Sequence, residues 1–491
     1  MDRENRPGSP RPISNEVIIP QNIYMVGIGG IGMSALAQML VSRGHLVSGS
    51  DRESSPVTDM LTAKRIEVFV GQDISHLPPE TELLIYSDAV PAENPARAEA
   101  NEKKIKQISY FEMLGVISRA MRTIAVSGTH GKTTVTGMLA AILKAVGKEP
   151  TAIVGSIVKD WGSNFLAGSC LERVKKPSNP RRGENGDGSV QICTMTATQG
   201  SRNEVDEAFG HALFIVEACE YRDHLLELSP EILVITNIEL DHTDFFPSLT
   251  ALQSTFWQAA RRVPAHGCII TDPKDPNISP ALDKVSAKVL DYTIEEVPKL
   301  SLIGEFNTMN ARAAKCAAKA AFPDISGEVI DAALKDFKGS WRRFEYKGET
   351  PNGALVYDDY AHHPTAVRKT IEAARERFPG KRIVVAFHPH LHSRTETFLQ
   401  EFADALDTAD RAIVAPIYEA RTEKVHAVSN HSVAEAAQHV EALDSFDEIR
   451  DELLQEPEGT LIITMGAGDI YKVAEQIVEG GYNVWKQKHG H

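Results

Sequence analysis

The stretch from Ser127 to Thr134 reads Ser-Gly-Thr-His-Gly-Lys-Thr-Thr. It follows a short apolar run, Arg122 to Val126, and opens a helical run from Val135 to Val146. A strand, a glycine-bearing turn and Lys-Thr-Thr at a helix start form a grip for polyphosphate. Backbone N–H groups of the turn and the positive end of the helix point at the anion. Gly128, Thr129, His130 and Gly131 supply the turn, Lys132 can reach terminal phosphates, and the Thr133 hydroxyl can reach Mg²⁺, with Thr134 beside it. The full Walker pattern wants a glycine five residues before Gly131, where Val126 stands. The shorter Gly-x-x-Gly-Lys-Thr-Thr form remains, and the bland alternative is an ordinary strand-to-helix turn.

A second glycine loop lies near the start. Asn22 to Val26 is a strand candidate, followed by Gly27-Ile28-Gly29-Gly30-Ile31-Gly32-Met33-Ser34, a helix over Ala35–Arg43 and a strand over His45–Ser50 that ends at Asp51. Gly27, Gly29 and Gly32 match Gly-x-Gly-x-x-Gly, and Asp51 is the acidic residue about twenty positions on. Spacing alone points to NAD. The motif recognises a diphosphate, however, and a UDP-sugar presents the same groups. Glu82–Tyr86 reads as a further strand with Ser87 in the loop after it, and Tyr110–Ala120 as a helix leading into the next domain.

More reactive residues fall at the ends of later apolar runs. Ala212–Val216 ends at Glu217, and a carboxylate there, near a phosphate loop, is where Mg²⁺ is usually held. Ile232–Asn237 runs into Glu239-Leu240-Asp241-His242. If these two strands are neighbours, Glu217 and His242 share one sheet edge. Gly162-Ser163-Asn164 reads as turn. Asn307 and Asn310 share a face of an Ala-rich helix running to Ala320 and could read adenine or cap the helix. Arg343 follows Trp341 at what reads as a domain joint. Leu355–Tyr357 leads into Asp358-Asp359-Tyr360-Ala361-His362-His363-Pro364 and the helix Thr365–Arg377. Arg382–Phe387 leads into His388-Pro389-His390-Leu391-His392-Ser393-Arg394. The alternating histidines lack a cysteine or carboxylate nearby, which favours an anion or substrate over zinc. Arg411–Pro416 and Leu461–Met465 are further strands, the latter before the glycine turn Gly466-Ala467-Gly468.

These elements alternate strand and helix, which predicts an α/β chain with mostly parallel sheets. Its 491 residues allow roughly three domains at ~150 residues each. The expected division is a flexible tail at 1–15, a Rossmann-like domain at 16–120, a central P-loop-type ATPase domain at 121–340 and a Rossmann-like domain at 341–491. Hydrophobic residues make up 42% and charged residues 24%, and the net charge of -15 disfavours nucleic acid or an anionic membrane as partner. The five cysteines are scattered, as in a reducing compartment. No apolar run nears the ~18 residues of a membrane span, and the first fifteen residues lack a signal-peptide core. The expected location is the cytoplasm.

Taken in order, the loops resemble those of the Mur ligases of peptidoglycan synthesis over about residues 20–480. The likeness rests on Gly128 to Thr134, Gly27 to Ser34, Glu217-Ala218-Cys219-Glu220-Tyr221-Arg222, Asp358 to Pro364 and Met465 to Ile470. Within that family they look most like the branch that joins L-alanine to UDP-N-acetylmuramate with ATP, in its Gram-positive form. The resemblance implies that the first glycine loop takes UDP-N-acetylmuramate rather than NAD, through Gly27, Gly29, Gly30, Gly32, Met33, Ser34, Asp51 and Ser87. It implies that Lys132 binds the β- and γ-phosphates, that Thr133 and Glu217 hold one Mg²⁺, and that His242 holds a second. Asn307 and Asn310 match adenine contacts, Arg343 and Asp359 engage ATP across the joint, and Tyr360, His362, His390 and Arg394 build the amino-acid site. The substrates implied are small molecules, and the chain is expected to act as a monomer or homodimer.

Three departures stand out. Phe306 replaces a histidine common in the family, Leu391 replaces a second arginine, and the stretch from about Cys170 to Gly210 is longer than the family's. Rival readings are a ligase that adds a ready-made tripeptide to the same nucleotide, a nucleotide-sensing protein without catalysis, and an NAD-linked dehydrogenase. The last leaves the phosphate loop unexplained.

Overall fold

The computed structural model describes residues 19–71, 73, 76–168, 212–419 and 427–478. The tail at 1–15 and the stretch 170–210 lie outside the described residues. Up to Ala120 the described chain forms one compact unit, and from Met121 onward it forms a second.

The first unit is a five-stranded parallel sheet. Its strands are β1 (Asn22–Val26), β2 (Leu46–Asp51), β3 (Glu67–Val70), β4 (Leu83–Tyr86) and β5 (Lys106–Ser109), in the order β3-β2-β1-β4-β5. The chain runs outward one way from β1 and returns to start again at β4. The crevice at this switch point lies between the loops that follow β1 and β4, which is where such sheets bind ligands. Gly27 and Ser87 meet there: a Cβ on Gly27 would lie 3.0 Å from Ser87 Cβ.

The second unit holds two sheets. The larger has β6 (Arg122–Ser127), β7 (Thr151–Val158), β8 (Ser163–Leu166), β9 (Leu213–Glu217), β10 (Ile232–Ile235), β11 (Cys268–Thr271) and β12 (Lys288–Asp291). Their order is β12-β11-β10-β6-β9-β7-β8, parallel except for the β7–β8 pair. Ser163 and Asn164, expected in a turn, belong to β8. Only four residues long, that edge strand carries too little alternation to read from sequence. Ile124, Val126, Ile215, Ile232 and Val234 present one apolar face to the helices Lys132–Ala145 and Glu305–Ala321. Alanines at 311, 313, 314, 317 and 318 let the second helix lie close to the first.

The smaller sheet has β13 (Glu345–Glu349), β14 (Leu355–Asp359), β15 (Arg382–Phe387), β16 (Arg411–Val414), β17 (Val440–Ala442) and β18 (Thr460–Met465), ordered β13-β14-β18-β15-β16-β17. All pairs are parallel except β13–β14. Ile383, Val385 and Phe387 pack on one face of β15 and Val384 and Ala386 on the other. Burial on both sides is why this strand reads as an unbroken apolar run.

Arg342 ties the joint to the glycine turn after β18. Its Nε donates to Asp358 Oδ2 at 2.7 Å, and its Nη1 and Nη2 donate to the carbonyls of Gly468 (2.8 Å) and Gly466 (2.6 Å). Both members of the pair are almost fully buried. Removing one partner of such a pair strands the other, at a cost of about 3–5 kcal/mol. Arg342→Ala is therefore expected to lower the unfolding free energy of the second unit, measured by urea titration, by that amount, and an unchanged midpoint would contradict the assignment.

Candidate active site

The phosphate loop leaves β6 at Ser127. Gly128 has φ 127°, and a Cβ there would sit 2.1 Å from Thr236 Oγ1, so only glycine fits. The segment after β10 clamps the loop. Thr129 N donates to Asn237 O (3.1 Å) and His130 N to Asn237 Oδ1 (2.9 Å). Thr129 Oγ1 donates to Glu239 O and accepts from Glu239 N, both at 2.9 Å. Gly131 caps the helix Lys132–Ala145 without a side chain, leaving the first-turn N–H groups facing the loop, with Thr133 and Thr134 buried behind.

Lys132 does not wait in solvent. Its Nζ donates to both oxygens of Glu220 (3.0 and 2.9 Å) and to Thr129 O (3.2 Å). Burial disfavours the charged ammonium, but the Glu220 carboxylate outweighs it and holds the lysine above its ordinary pKa. Glu220 is 1% exposed and is itself held below the usual carboxylate range: burial pushes it up, and Lys132, then His242, pull it down further. His242 Nε2 lies 3.5 Å from Glu220 Oε1, and its backbone has a positive φ of 51°. Glu217, at the end of β9, accepts from Thr133 Oγ1 (3.1 Å) and Gly155 N (2.7 Å). Arg343 Nη2 donates to the same Thr133 hydroxyl at 3.2 Å. The strands bearing Glu217 and His242 are not neighbours. β9 and β10 flank β6 on opposite sides, so the two residues reach the loop from left and right.

The wall facing this loop comes from the smaller sheet. Asp359 accepts from Phe344 N (2.7 Å) and Ala361 N (2.8 Å), and burial raises its pKa despite nearby Arg343. Asn307 Nδ2 donates to Ile303 O (2.7 Å) and Asn310 Nδ2 to Asn307 Oδ1 (3.2 Å). Gly304 occupies the N-cap with no side-chain bond, so neither asparagine caps that helix. Both line a cavity of about 470 Å³ together with Lys132, Thr133, Glu217, Asp359 and Phe306. That volume suits a nucleotide-sized ligand.

His362 lies nearby, with its ring 5.3 Å from Tyr360 and 5.8 Å from His390. Its Nδ1 donates to Tyr360 O at 2.9 Å, and burial, then Arg394, pushes its pKa well down, so the ring is neutral at pH 7. Arg394 is 3% exposed. Its Nε and Nη2 donate to Asp241 Oδ1 (2.9 and 2.7 Å), and its Nη1 contacts His390 Nδ1 (3.0 Å). Leu391 is buried at φ 71° and caps the short helix His392–Thr397, directing no polar group here. The three alternating histidines part company: His388 packs under Gly468, His390 meets Arg394, and His392 Nδ1 contacts Val428 O at 3.1 Å.

In the first unit, Gly29 N donates to Asp51 Oδ2 at 2.8 Å and Gly30 N to Gly27 O at 3.2 Å. Gly32 packs against Tyr110, whose ring leaves no room for a Cβ. Met33 and Ser34 are buried, and Ser34 Oγ donates to Ile31 O. What the loop offers a diphosphate is thus the backbone at the start of the helix Ile31–Ser42.

Three family descriptions match in order along the chain: "Mur ligase family, catalytic domain" over residues 22–122, "Mur ligase middle domain" over 126–300 and "Mur ligase, glutamate ligase domain" over 342–468. The chain belongs to the Mur ligase family. A UDP-N-acetylmuramate–L-alanine ligase of Salinibacter ruber is 34% identical to this Mur ligase, over 94% of each chain. The solved structure of the UDP-N-acetylmuramate–alanine ligase of Thermotoga maritima superposes with a TM-score of 0.71 at 25% identity, covering 95% of this chain and 99% of that one. A murein peptide ligase from Psychrobacter arcticus gives 0.66 at 22% identity, covering 96% and 99%, which is a likeness of fold.

Sequence reading missed two residues of this Mur ligase's site. Glu220 stands in the run Glu217 to Arg222 with no role of its own in that run, and Asp241 stands directly before His242. A signal existed for each, since both are acids at the ends of buried strands. Elsewhere in the last sheet His388 is 5% exposed, and burial pushes its pKa down from 6.5 to about 4. The unfolded chain takes up this proton first, so stability is full above about pH 6.5 and falls as pH drops towards 4. His388→Gln is expected to flatten the pH dependence of the thermal midpoint in that window, and an unchanged slope would exclude His388 as its source.

Proposed function

We propose that this Mur ligase joins L-alanine to the lactyl carboxylate of UDP-N-acetylmuramate, with ATP converted to ADP and phosphate, in peptidoglycan precursor synthesis. The observation that carries this reading is the full-length likeness to the Salinibacter ruber enzyme named for that reaction. The domain at 16–120 takes the UDP-sugar, that at 121–340 takes ATP, and that at 341–491 brings the amino acid. A cytoplasmic location belongs to the same reading, as its substrates are nucleotides, and among the described residues no helix is long and apolar enough to cross a membrane.

The residues divide the work. The lactyl carboxylate attacks the γ-phosphate of ATP and forms an acyl phosphate, releasing ADP. Lys132 exchanges the Glu220 carboxylate for phosphate oxygens and offsets charge that builds up in transfer. Arg343 stands beside Thr133 to meet the same charge. The Thr133 hydroxyl and Glu217 carboxylate, 3.1 Å apart, are oxygen donors that fit a hard cation, and His242 would serve a second. Mg²⁺ held there would screen the phosphate charge. Asn307 and Asn310 face the base and Asp359 the ribose side. In the last step the neutral amine of alanine attacks the acyl carbon, and phosphate leaves. Arg394 takes the alanine carboxylate once it is freed from Asp241, with Tyr360, His362 and His390 around it. Water has to be kept out, because it would hydrolyse the acyl phosphate.

Phosphate release from ATP, measured with UDP-N-acetylmuramate plus single amino acids or the tripeptide, tests the reading. Release that requires L-alanine supports it. Release only with tripeptide assigns the chain to the peptide-adding reaction, and no release at all leaves a nucleotide sensor. Lys132→Ala is expected to abolish turnover while UDP-N-acetylmuramate affinity stays within about twofold; joint loss would contradict separate sites. Arg394→Lys is expected to raise the KM for alanine about tenfold or more with the KM for ATP nearly constant, since lysine lacks the planar fork. A matching rise in both would place Arg394 in structural support.

A further inference from the structure

Beside the phosphate grip, three metal-ligating side chains converge where the two sheets of the second unit face each other. His130 belongs to the phosphate loop, Glu239 to the segment after β10, and His363 to the start of the helix Pro364–Arg377. Their ligand atoms all lie within 4.8 Å of one another. His130 Nε2 is 3.4 Å and His363 Nδ1 4.0 Å from Glu239 Oε2. Ligand atoms about 2.0–2.1 Å from a tetrahedral ion stand roughly 3.4 Å apart. One pair is already at that spacing, the second needs to close by about 0.6 Å, and the third starts within 4.8 Å.

We propose that His130, Glu239 and His363 form a binding site for a zinc-class transition-metal ion, distinct from the Mg²⁺ positions at Thr133, Glu217 and His242. Two imidazoles and one carboxylate are the donor set of open zinc sites and are poorly suited to Mg²⁺, which prefers oxygen. The surroundings already orient each donor. His363 Nε2 donates to Leu240 O at 3.1 Å, which puts its proton there and leaves the Nδ1 lone pair directed inward. Thr365 Oγ1 donates to Glu239 Oε2 at 2.7 Å and fixes that carboxylate. The backbone of His130 is pinned by Asn237 and by Thr236 Oγ1, which donates to His130 O at 2.6 Å.

The competing interaction is weak. His363 Nδ1 accepts only a long bond, 3.3 Å, from Thr365 N, and that N–H lies in a first helical turn where such groups commonly face solvent. Protonation states suit a metal as well. Burial, then His130, pushes His363 down to about 4, which leaves its ring neutral, and Glu239 is held down to about 2, against its burial, by its hydrogen bond with His130, a contact that an ion seated between the two would replace. All three residues line the 470 Å³ cavity, so a fourth position stays open to it. A bound ion would tie the phosphate loop to the opposite lobe.

The full chain, stripped with chelator and kept in millimolar Mg²⁺ without nucleotide, is titrated with Co²⁺ as a spectroscopic stand-in for zinc. The expected result is one equivalent bound, with a visible ligand-field band and no near-ultraviolet sulfur-to-cobalt charge transfer. Glu239→Gln, which keeps the side-chain shape, and His363→Ala are each expected to weaken binding by about tenfold or more. His392→Ala should leave it unchanged. No binding, binding with the sulfur band, or binding insensitive to Glu239→Gln would each overturn the proposal.

Discussion

The buried ion pair between Lys132 and Glu220 sets the terms for the rest of the site. An ammonium held away from water and unpaired would shed its proton, and a phosphate loop with a neutral lysine would lose its main attraction for ATP. Glu220 keeps that charge in place. It can do so because β9 ends beside β6, which carries its loop residues to the base of the phosphate turn. The parallel sheet is thus the positioning device. It gathers Glu217 and Glu220 on one side and Asp241 and His242 on the other, at the carboxyl ends of strands that flank the central one.

A second buried pair, Asp241 with Arg394, repeats the arrangement across the cleft. Burial lifts the Asp241 carboxyl, and the guanidinium beside it more than reverses that, holding it well below the usual range. Lys132 and Arg394, both assigned to anionic substrates, are therefore each kept by a protein carboxylate. Binding becomes an exchange of partners rather than the desolvation of a free charge, which lowers the cost of bringing polyphosphate or an amino acid into a buried site.

Much of this was legible in the sequence where local rules are strong. Gly-Lys-Thr after an apolar run marks the phosphate loop because few other turns need that chemistry, and the strand Arg382–Phe387 was readable because both its faces are buried. Spatial partnership was not legible. Glu217 and Glu220 look alike in a row of residues, yet one meets Thr133 and the other Lys132. That β6 lies between β9 and β10 is a matter of crossover connections, which no local pattern encodes. Arg394 could be picked out by its loop, but Asp241, more than 150 positions earlier, shows as its partner only once the two lobes are seen together.

Arg342 and Arg343 are adjacent in the chain but serve opposite lobes. The first is locked into the glycine turn of the smaller sheet, and the second reaches the Thr133 hydroxyl of the larger. Positive φ values at Arg342 (57°) and Phe344 (45°) bend the backbone so that the two side chains diverge. The linker therefore works as a crank. Any rotation of the smaller sheet would carry Arg342 with it and shift Arg343 relative to the Thr133 hydroxyl.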